Sequence, residues 1–430
     1  MSAGAGGMEK AAPRELPRGL AALCGIGVAI GVAAFLYGLA TDPATTWRAF
    51  HVNTFYFGCV AQGGVVLAAA LVIIGAQWAG PVRRVAESLG AWVPFTLVLA
   101  LVSFLGRGYV YPWIANPIPG KASWLNVPRM VVMDTAILAL LALVTLLFLY
   151  YSVRPTLHGV TGPGAAKGLF ERWTAGWRGQ AEEEARSADK LRRLAPIVAL
   201  LYAFGWSILA IDQIMSLTPT WYSILFPGFV AWGGFLGAIG LTSLLSILLR
   251  NARGFEGQFH AARLHDLGKM LFAFSIFWMY LFWAQYLVIW YGNLPEETQF
   301  FEARLGPQFL MEPGFKGWYF DFSFERLSAS PYGWMSMVVW ALIWIIPFWF
   351  LLGQRPKKSP LVNGTVSALM VLGFWLERNL LVWPSFDKLH GLSWLGPIQV
   401  GIALGFLGAF TLVWLAYSCL FPGLAVSQRR

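Results

Sequence analysis

"FWAQYLVIWYGNLPEET" runs from Phe282 to Thr298. Its first half is apolar and aromatic, with one amide, Gln285. It then breaks at Gly292-Asn293 and turns acidic at Glu296-Glu297. A membrane span ending in an aromatic belt has this form, because Trp and Tyr rings settle at the membrane–water interface. So does the wall of a site for an aromatic ligand. The rest of the chain decides in favour of a span. Its 430 residues are 57% hydrophobic and 12% charged, with a mean hydropathy of +0.60. A soluble domain carries roughly a quarter charged residues.

Working outward, ten apolar runs approach or exceed the roughly 20 residues that a spanning helix needs. They are Leu20–Ala40, Asn53–Gly75, Leu89–Leu105, Pro128–Tyr151, Leu194–Met215, Trp221–Leu249, Leu267–Tyr291, Tyr332–Leu352, Leu361–Trp383 and Leu395–Leu420. The third is the weakest, being short and holding Pro94. Alternating strand-length patterns are absent, so the expectation is an all-α polytopic membrane protein with ten transmembrane helices, not a barrel. The polar stretch before Gly19 has no apolar core of a signal peptide, so the first run is expected to be retained as a span.

Basic residues set the orientation. With the N-terminus inside, 22 of the 31 Lys and Arg fall in inner segments, the largest group between Arg154 and Arg193. Both termini are therefore expected in the cytoplasm. The net charge of +10 reports orientation rather than nucleic-acid binding. Helices 2–5 and 6–9 then run in the same directions. Residues 53–215 and 221–383 can each close a four-helix bundle, flanked by helices 1 and 10, within one membrane domain spanning 1–430. Two loops are long. The inner one holds "QAEEEARSADKLRR", where Glu182 precedes Arg186 by four residues, the spacing of a solvated surface helix. The outer one, 293–331, is acidic and aromatic ("GFKGWYFDFSFERL") and suits the membrane interface or a partner. Asn293, with Glu296 three residues later, resembles a capping box for a following helix.

Charges within spans cost roughly 2.5–3.5 kcal/mol at the helix centre, so those present deserve a role. Asp134, Asp212, Gln213, Gln285, Glu377, Arg378 and Asn379 all fall in the outer parts of their runs. Asn53 opens the second run with Gln62 deeper, and Arg107 and Arg129 lie at the outer rim. On the ninth helix, Asn363, Ser367, Phe374, Glu377 and Arg378 lie within about 60° of one direction at 100° per residue. This stripe is a candidate proton path. The competing reading pairs Glu377 and Arg378 with other helices. Adjacent residues do not face each other, so the two need not pair together. Asp134 either carries protons or pairs with Arg129 or Arg107.

All five histidines (His51, His158, His260, His265 and His390) lie outside the central parts of the runs, so no haem ligand stands at depth. Cys24, Cys59 and Cys419 are far apart, without CxxC or CxxCH, which offers no iron–sulfur or c-type haem ligand set. No metal site, Ser-His-Asp triad or phosphate loop is present in the pattern. Two function classes fit. One is a quinone-interacting, proton-handling subunit of an electron-transfer complex. The other is a secondary transporter, which would place its charges near the bilayer midplane. The outward displacement of the polar groups favours the first. A purely structural membrane anchor is a third reading.

The segment "HDLGKMLFAFSIFWMYLFWAQYLVIWYGNLPEET" (265–298) resembles the ActF-type subunits of bacterial alternative complex III, NrfD/PsrC-like integral membrane proteins. "AFHVNTFYFGCVAQGG" (49–64) and the "RRVAE" after the second run are also similar to that family. The resemblance implies two four-helix bundles and a multi-pass location in the bacterial inner membrane. It implies a subunit not catalytic alone, within a quinol:cytochrome c (or other periplasmic acceptor) oxidoreductase. The implied partners are a second NrfD-like subunit, a periplasmic iron–sulfur subunit, haem c subunits and small membrane subunits, besides quinone and lipid. This chain would bind no cofactor beyond a quinone such as menaquinone. The better-supported quinol site of the family lies in the sister subunit. Proton transfer is expected to involve Asp134, Asp212, Glu377, Arg378, Ser367 and Asn363. Any quinone contact here is expected near His51, Asn53, Gln62 and Gln285.

Overall fold

A computed structural model describes residues 13–160, 166–252, 255–306, 332–386 and 395–421. Among them there is no strand. Ten helices are long and apolar enough to cross a membrane: α1 Arg18–Thr41, α2 Pro43–Ile73, α3 Gly80–Val110, α4 Val127–Leu157, α5 Gln180–Leu217, α6 Phe226–Leu249, α7 Ala261–Gly292, α8 Gly333–Phe350, α9 Pro360–Ser385 and α10 Pro397–Leu420. The chain is thus a multi-pass, all-helical membrane protein.

Helix α2 begins well before Asn53. Asp42 caps it, its side chain accepting from the Thr45 N–H, and Pro43 takes the first helical position, where its fixed φ suits a helix and its missing N–H costs nothing. His51 and Asn53 therefore lie inside a helix and are buried. This corrects the placement of every histidine outside the central spans. Hydropathy discounted the Thr, Trp and Arg of the first turns, whereas the Asp-Pro cap marked the true start. Helix α2 is the axis of the molecule: every residue from Ala49 to Ala69 is buried. It packs on α3, α5, α6 and α10. The approach to α6 requires glycine, since a Cβ on Gly234 would stand 2.1 Å from Cys59 Sγ.

Helix α3 packs on α4, and α4 on α5, completing a circuit through α2. Helix α6 packs on α7 and α9, while α8 contacts both α7 and α9. Helix α1 is mostly exposed and is held chiefly by α10. Their crossing uses Gly27 and Gly31 against Gly401, Gly405 and Gly408. A Cβ on Gly31 would lie 2.4 Å from Gly405 Cα. Small residues spaced by four allow such close backbone packing in lipid.

The charged stretch after Gly179 is helical and mostly exposed, as its spacing predicts. It is the first part of α5, continuous with the span. Glu183 turns inward and grips Arg154 of α4 at 2.8 and 3.1 Å, while the exposed Glu182 pairs with Arg178 at 3.3 Å rather than with Arg186. At the far end of α7, Asn293 adopts left-handed φ/ψ of 46° and 38°, and its N–H bonds the Ile289 carbonyl. It therefore closes α7, a role Asn tolerates, and does not cap the next helix. That helix, Pro295–Leu305, starts after Leu294. The later part of the outer loop, including "GFKGWYFDFSFERL", and His390 lie outside the described residues.

Candidate functional site

Two clusters of buried polar side chains lie in the last parts of α5 and α9. In the first cluster, Asp212 of α5 receives Arg129 Nη2 from α4 at 2.5 Å and the Trp124 indole N–H at 2.7 Å. Arg129 stacks over the Trp124 ring, 4.0 Å from its centroid. Asp134, one turn further along α4, lies against the Asp212 carboxyl. It accepts from Gln213 Nε2 at 3.0 Å. The expected partners for Asp134, Arg129 and Arg107, are committed elsewhere. Arg129 bonds Asp212, and Arg107 bonds the Phe104 carbonyl of its own helix at 3.0 Å. Both aspartates are fully buried, and Asp134 Oδ1 and Asp212 Oδ2 have no hydrogen-bond partner. His51 Nε2 meets the Gln213 carbonyl at 2.8 Å, fixing α2 to the end of α5.

The second cluster lies on α9. Glu377 Oε2 and Arg378 Nη1 are 2.8 Å apart, although adjacent in sequence. The contact is ionic, without the alignment of a hydrogen bond. The long side chains reach round the helix because both are buried. Trp278 of α7 donates its indole N–H to Glu377 Oε1 at 3.2 Å, and Arg378 Nη2 bonds the Val230 carbonyl of α6 at 2.7 Å. Nearby, Asn53 accepts from the Trp375 indole at 3.0 Å.

Asn363 and Ser367 sit near the start of α9. Asn363 donates to the Leu264 and Lys357 carbonyls at 2.9 and 3.0 Å and accepts from Ser243 and Ser367 at 3.0 and 3.3 Å. That saturates the amide and ties α6, α7 and α9 together. Between Ser367 and Glu377 the buried α9 side chains are Met370 and Phe374, so the stripe is interrupted for about 15 Å of helix rise. Gln62 exchanges hydrogen bonds with Thr145 of α4 at 3.1 and 3.3 Å. The four expected quinone contacts are thus dispersed: His51 on α5, Asn53 on Trp375, Gln62 on Thr145, and Gln285 on Ser223 at 3.0 Å.

Gln285 does border a cavity of about 120 Å³ among α6, α7, α8, α9 and the helix Pro295–Leu305, with Glu377 in its wall. Phe282, Trp283 and Tyr286 line it as well. Part of the quoted stretch is therefore a cavity wall as well as a helix end. Trp124, Trp278 and Arg304 enter these sites without having been singled out. Indoles and a loop arginine carry no signal of burial in sequence. Among the described residues no three His, Cys, Asp or Glu side chains converge as a metal site. No family model matches the chain, and no curated protein matches it either.

Proposed function

We propose that the chain is a proton-handling membrane subunit of a quinol oxidoreductase complex of the alternative complex III type. In this reading, α2–α5 and α6–α9 form two four-helix bundles flanked by α1 and α10. Both termini face the cytoplasm of a bacterium, and the acidic clusters face the periplasm. Partner subunits, among them a sister NrfD-like subunit, carry quinol chemistry and pass electrons through iron–sulfur clusters and haem c. This chain takes up and releases the accompanying protons.

The observation that carries the reading is the Asp134–Asp212 pair. Two buried carboxyls face one guanidinium, Arg129. One cation balances one anion, so neutrality leaves a proton on the pair, as for other carboxyls that share a site. Each acid keeps one oxygen without a partner, and those two oxygens can take or pass a proton while Arg129, Trp124 and Gln213 hold the frame. Asp134→Asn and Asp212→Asn in the purified complex, reconstituted in proteoliposomes with a pH dye inside, test this. The expected outcome is slowed or lost proton release while electrons still reach the acceptor. An unchanged proton-to-electron ratio in both variants would overturn it. Purification of the tagged wild-type chain without haem-containing partners would reject the complex.

A further inference from the structure

Arg304, on the short helix after α7, is a buried cation with no described acid beside it. It is 4% exposed. Its Nη1 bonds the Phe300 carbonyl at 2.8 Å, and its Nη2 bonds the Leu381 carbonyl at 2.7 Å and Ser385 Oγ at 3.2 Å. The Phe300 ring lies 3.5 Å from the guanidinium. Burial pushes its pKa down to about 9, which leaves it charged at neutral pH. Its Nε has no partner. Among the described residues the titratable neighbour that acts on it is the Tyr332 hydroxyl, not a carboxylate. Neutral acceptors satisfy two of its nitrogens, but a buried guanidinium without a counter-charge stays costly.

Arg304 shares the cavity with Glu377. Of the uncharged polar groups of the wall, Ser336 donates to the Arg304 carbonyl at 2.6 Å, Gln285 donates to Leu281 and accepts from Ser223, and the Trp340 indole meets Met279 Sδ, while the Trp283 indole and the Tyr286 hydroxyl stand on the partly exposed α7 rim. Glu377 has accepted one hydrogen bond, from Trp278, and a carboxylate can accept several. The charged groups of the cavity are therefore one acceptor, Glu377, and one donor, Arg304, within an aromatic shell. Trp278, Phe282 and Tyr286 follow each other at i,i+4 along α7. Their planes are parallel to within 11° and 9°, so they present a flat flight of ring faces. On the α7–α8 side, the partly exposed Met279, Trp283, Met337 and Trp340 open it towards the apolar surface. An acyl chain would bring no hydrogen-bonding group to Arg304 Nε or Glu377 Oε2, the atoms left without one.

We propose that this cavity binds the head ring of a para-hydroquinone. One hydroxyl donates to the Glu377 carboxylate, and the opposite oxygen accepts from Arg304. The ring packs along Trp278, Phe282 and Tyr286, and the tail leaves between α7 and α8. This site lies in the α6–α9 half, away from His51, Asn53 and Gln62. It rests on the quinol reading above, and names this chain itself as a binder.

The test is photolabelling of the detergent-purified complex with an azido-substituted short-chain naphthoquinol, followed by peptide mapping. Adducts are expected between Trp278 and Arg304 and are abolished by excess unlabelled quinol. Glu377→Gln and Arg304→Gln each remove a charge-assisted hydrogen bond, which weakens competition roughly tenfold. Val339→Phe fills the cavity from α8 without touching either charge, and should abolish labelling even if the charge variants fail to fold. Adducts only elsewhere, persistence of labelling in folded Val339→Phe, or equal labelling by an azido-alkane would overturn the proposal, the last by identifying an acyl-chain groove. Adducts without haem partners would keep the site and reject the complex. Partners without adducts would do the reverse.

Discussion

Glu183→Gln at the foot of α5 is a direct probe of how the two charged helix extensions are held. Arg154 and Glu183 form a two-point contact at 2.8 and 3.1 Å, with the side chains 8% and 0% exposed. Removing one member of a buried pair typically costs about 3–5 kcal/mol. Two features lower that here. Arg154 keeps the Tyr150 hydroxyl and the carbonyls of Trp173 and Ala175 as acceptors. The pair also lies beyond the apolar runs, near water. The loss is then close to that of a charge-assisted hydrogen bond, about 2 kcal/mol, which raises the population of the opened extension roughly 30-fold. Hydrogen exchange of the amides between Trp173 and Glu183, measured in nanodiscs, should accelerate by that factor, as should tryptic cleavage at Arg178 and Arg186. In the double variant with Arg154→Met, the two losses should fall short of adding, since each single change strands the other group. Acceleration below about threefold in Glu183→Gln, or strict additivity, would refute the assignment of α5's extension to this one contact.

Three further outcomes follow from the packing. Gly31→Leu drives a side chain into Gly405, whose Cα stands 2.4 Å from the site of the new Cβ. Helix α1 should separate from α10, seen as loss of a disulfide engineered between them, while α2–α9 remain folded. Gly234→Ala places a methyl 2.1 Å from Cys59 Sγ and should lower yield and thermal stability. Adding Cys59→Ala should restore part of both, leaving the deficit from Tyr202, whose hydroxyl is 2.9 Å from the same point. Asp42→Ala removes the α2 cap at a cost of about 0.5–2 kcal/mol. The Thr45 side chain and N–H hold the Asp42 carboxyl below the ordinary carboxylate range. The cap's contribution is thus complete above the unfolded pKa of about 4 and lost as pH falls through the lower folded value. Asp42→Asn should keep the cap and flatten that acid dependence in thermal melts between pH 5 and 3.

Helix number was legible because hydropathy over roughly 20 residues reports insertion directly. Helix ends were less so. Asp42-Pro43 and the charged start of α5 extend helices beyond their apolar cores, and a hydropathy window ends where the core ends. The acids that would be buried were also legible, since an ionised group in an apolar run is conspicuous wherever it falls, and Asp134, Asp212 and Glu377 are all buried. Partner choice was not. Asp134 met Gln213 rather than an arginine because helix rotation is set by contacts such as the His51–Gln213 bond, which hydropathy does not report. Glu377 and Arg378 paired despite adjacency because burial left each few other charges to meet.

Asp212 and Glu377 invite comparison, since each is a buried acid in the last part of a long helix, α5 and α9. Each carboxyl is met by an indole N–H and a guanidinium: Trp124 and Arg129 for Asp212, Trp278 and Arg378 for Glu377. The partners do not come from equivalent positions. Arg129 comes from the neighbouring helix and Arg378 from the same one, so the likeness is of chemistry and not of register. What differs is what else each acid faces. Asp212 faces a second carboxyl, Asp134, which suits a proton held and passed between fixed groups. Glu377 faces a cavity closed at another wall by Arg304, which suits a ligand that brings its own hydroxyl. If both assignments hold, Asp134→Asn should change proton release without changing quinol affinity, and Arg304→Gln should do the opposite. A variant at either position that changed both equally would mean that the two acids belong to one coupled path across α2, and that their separation into two sites is wrong.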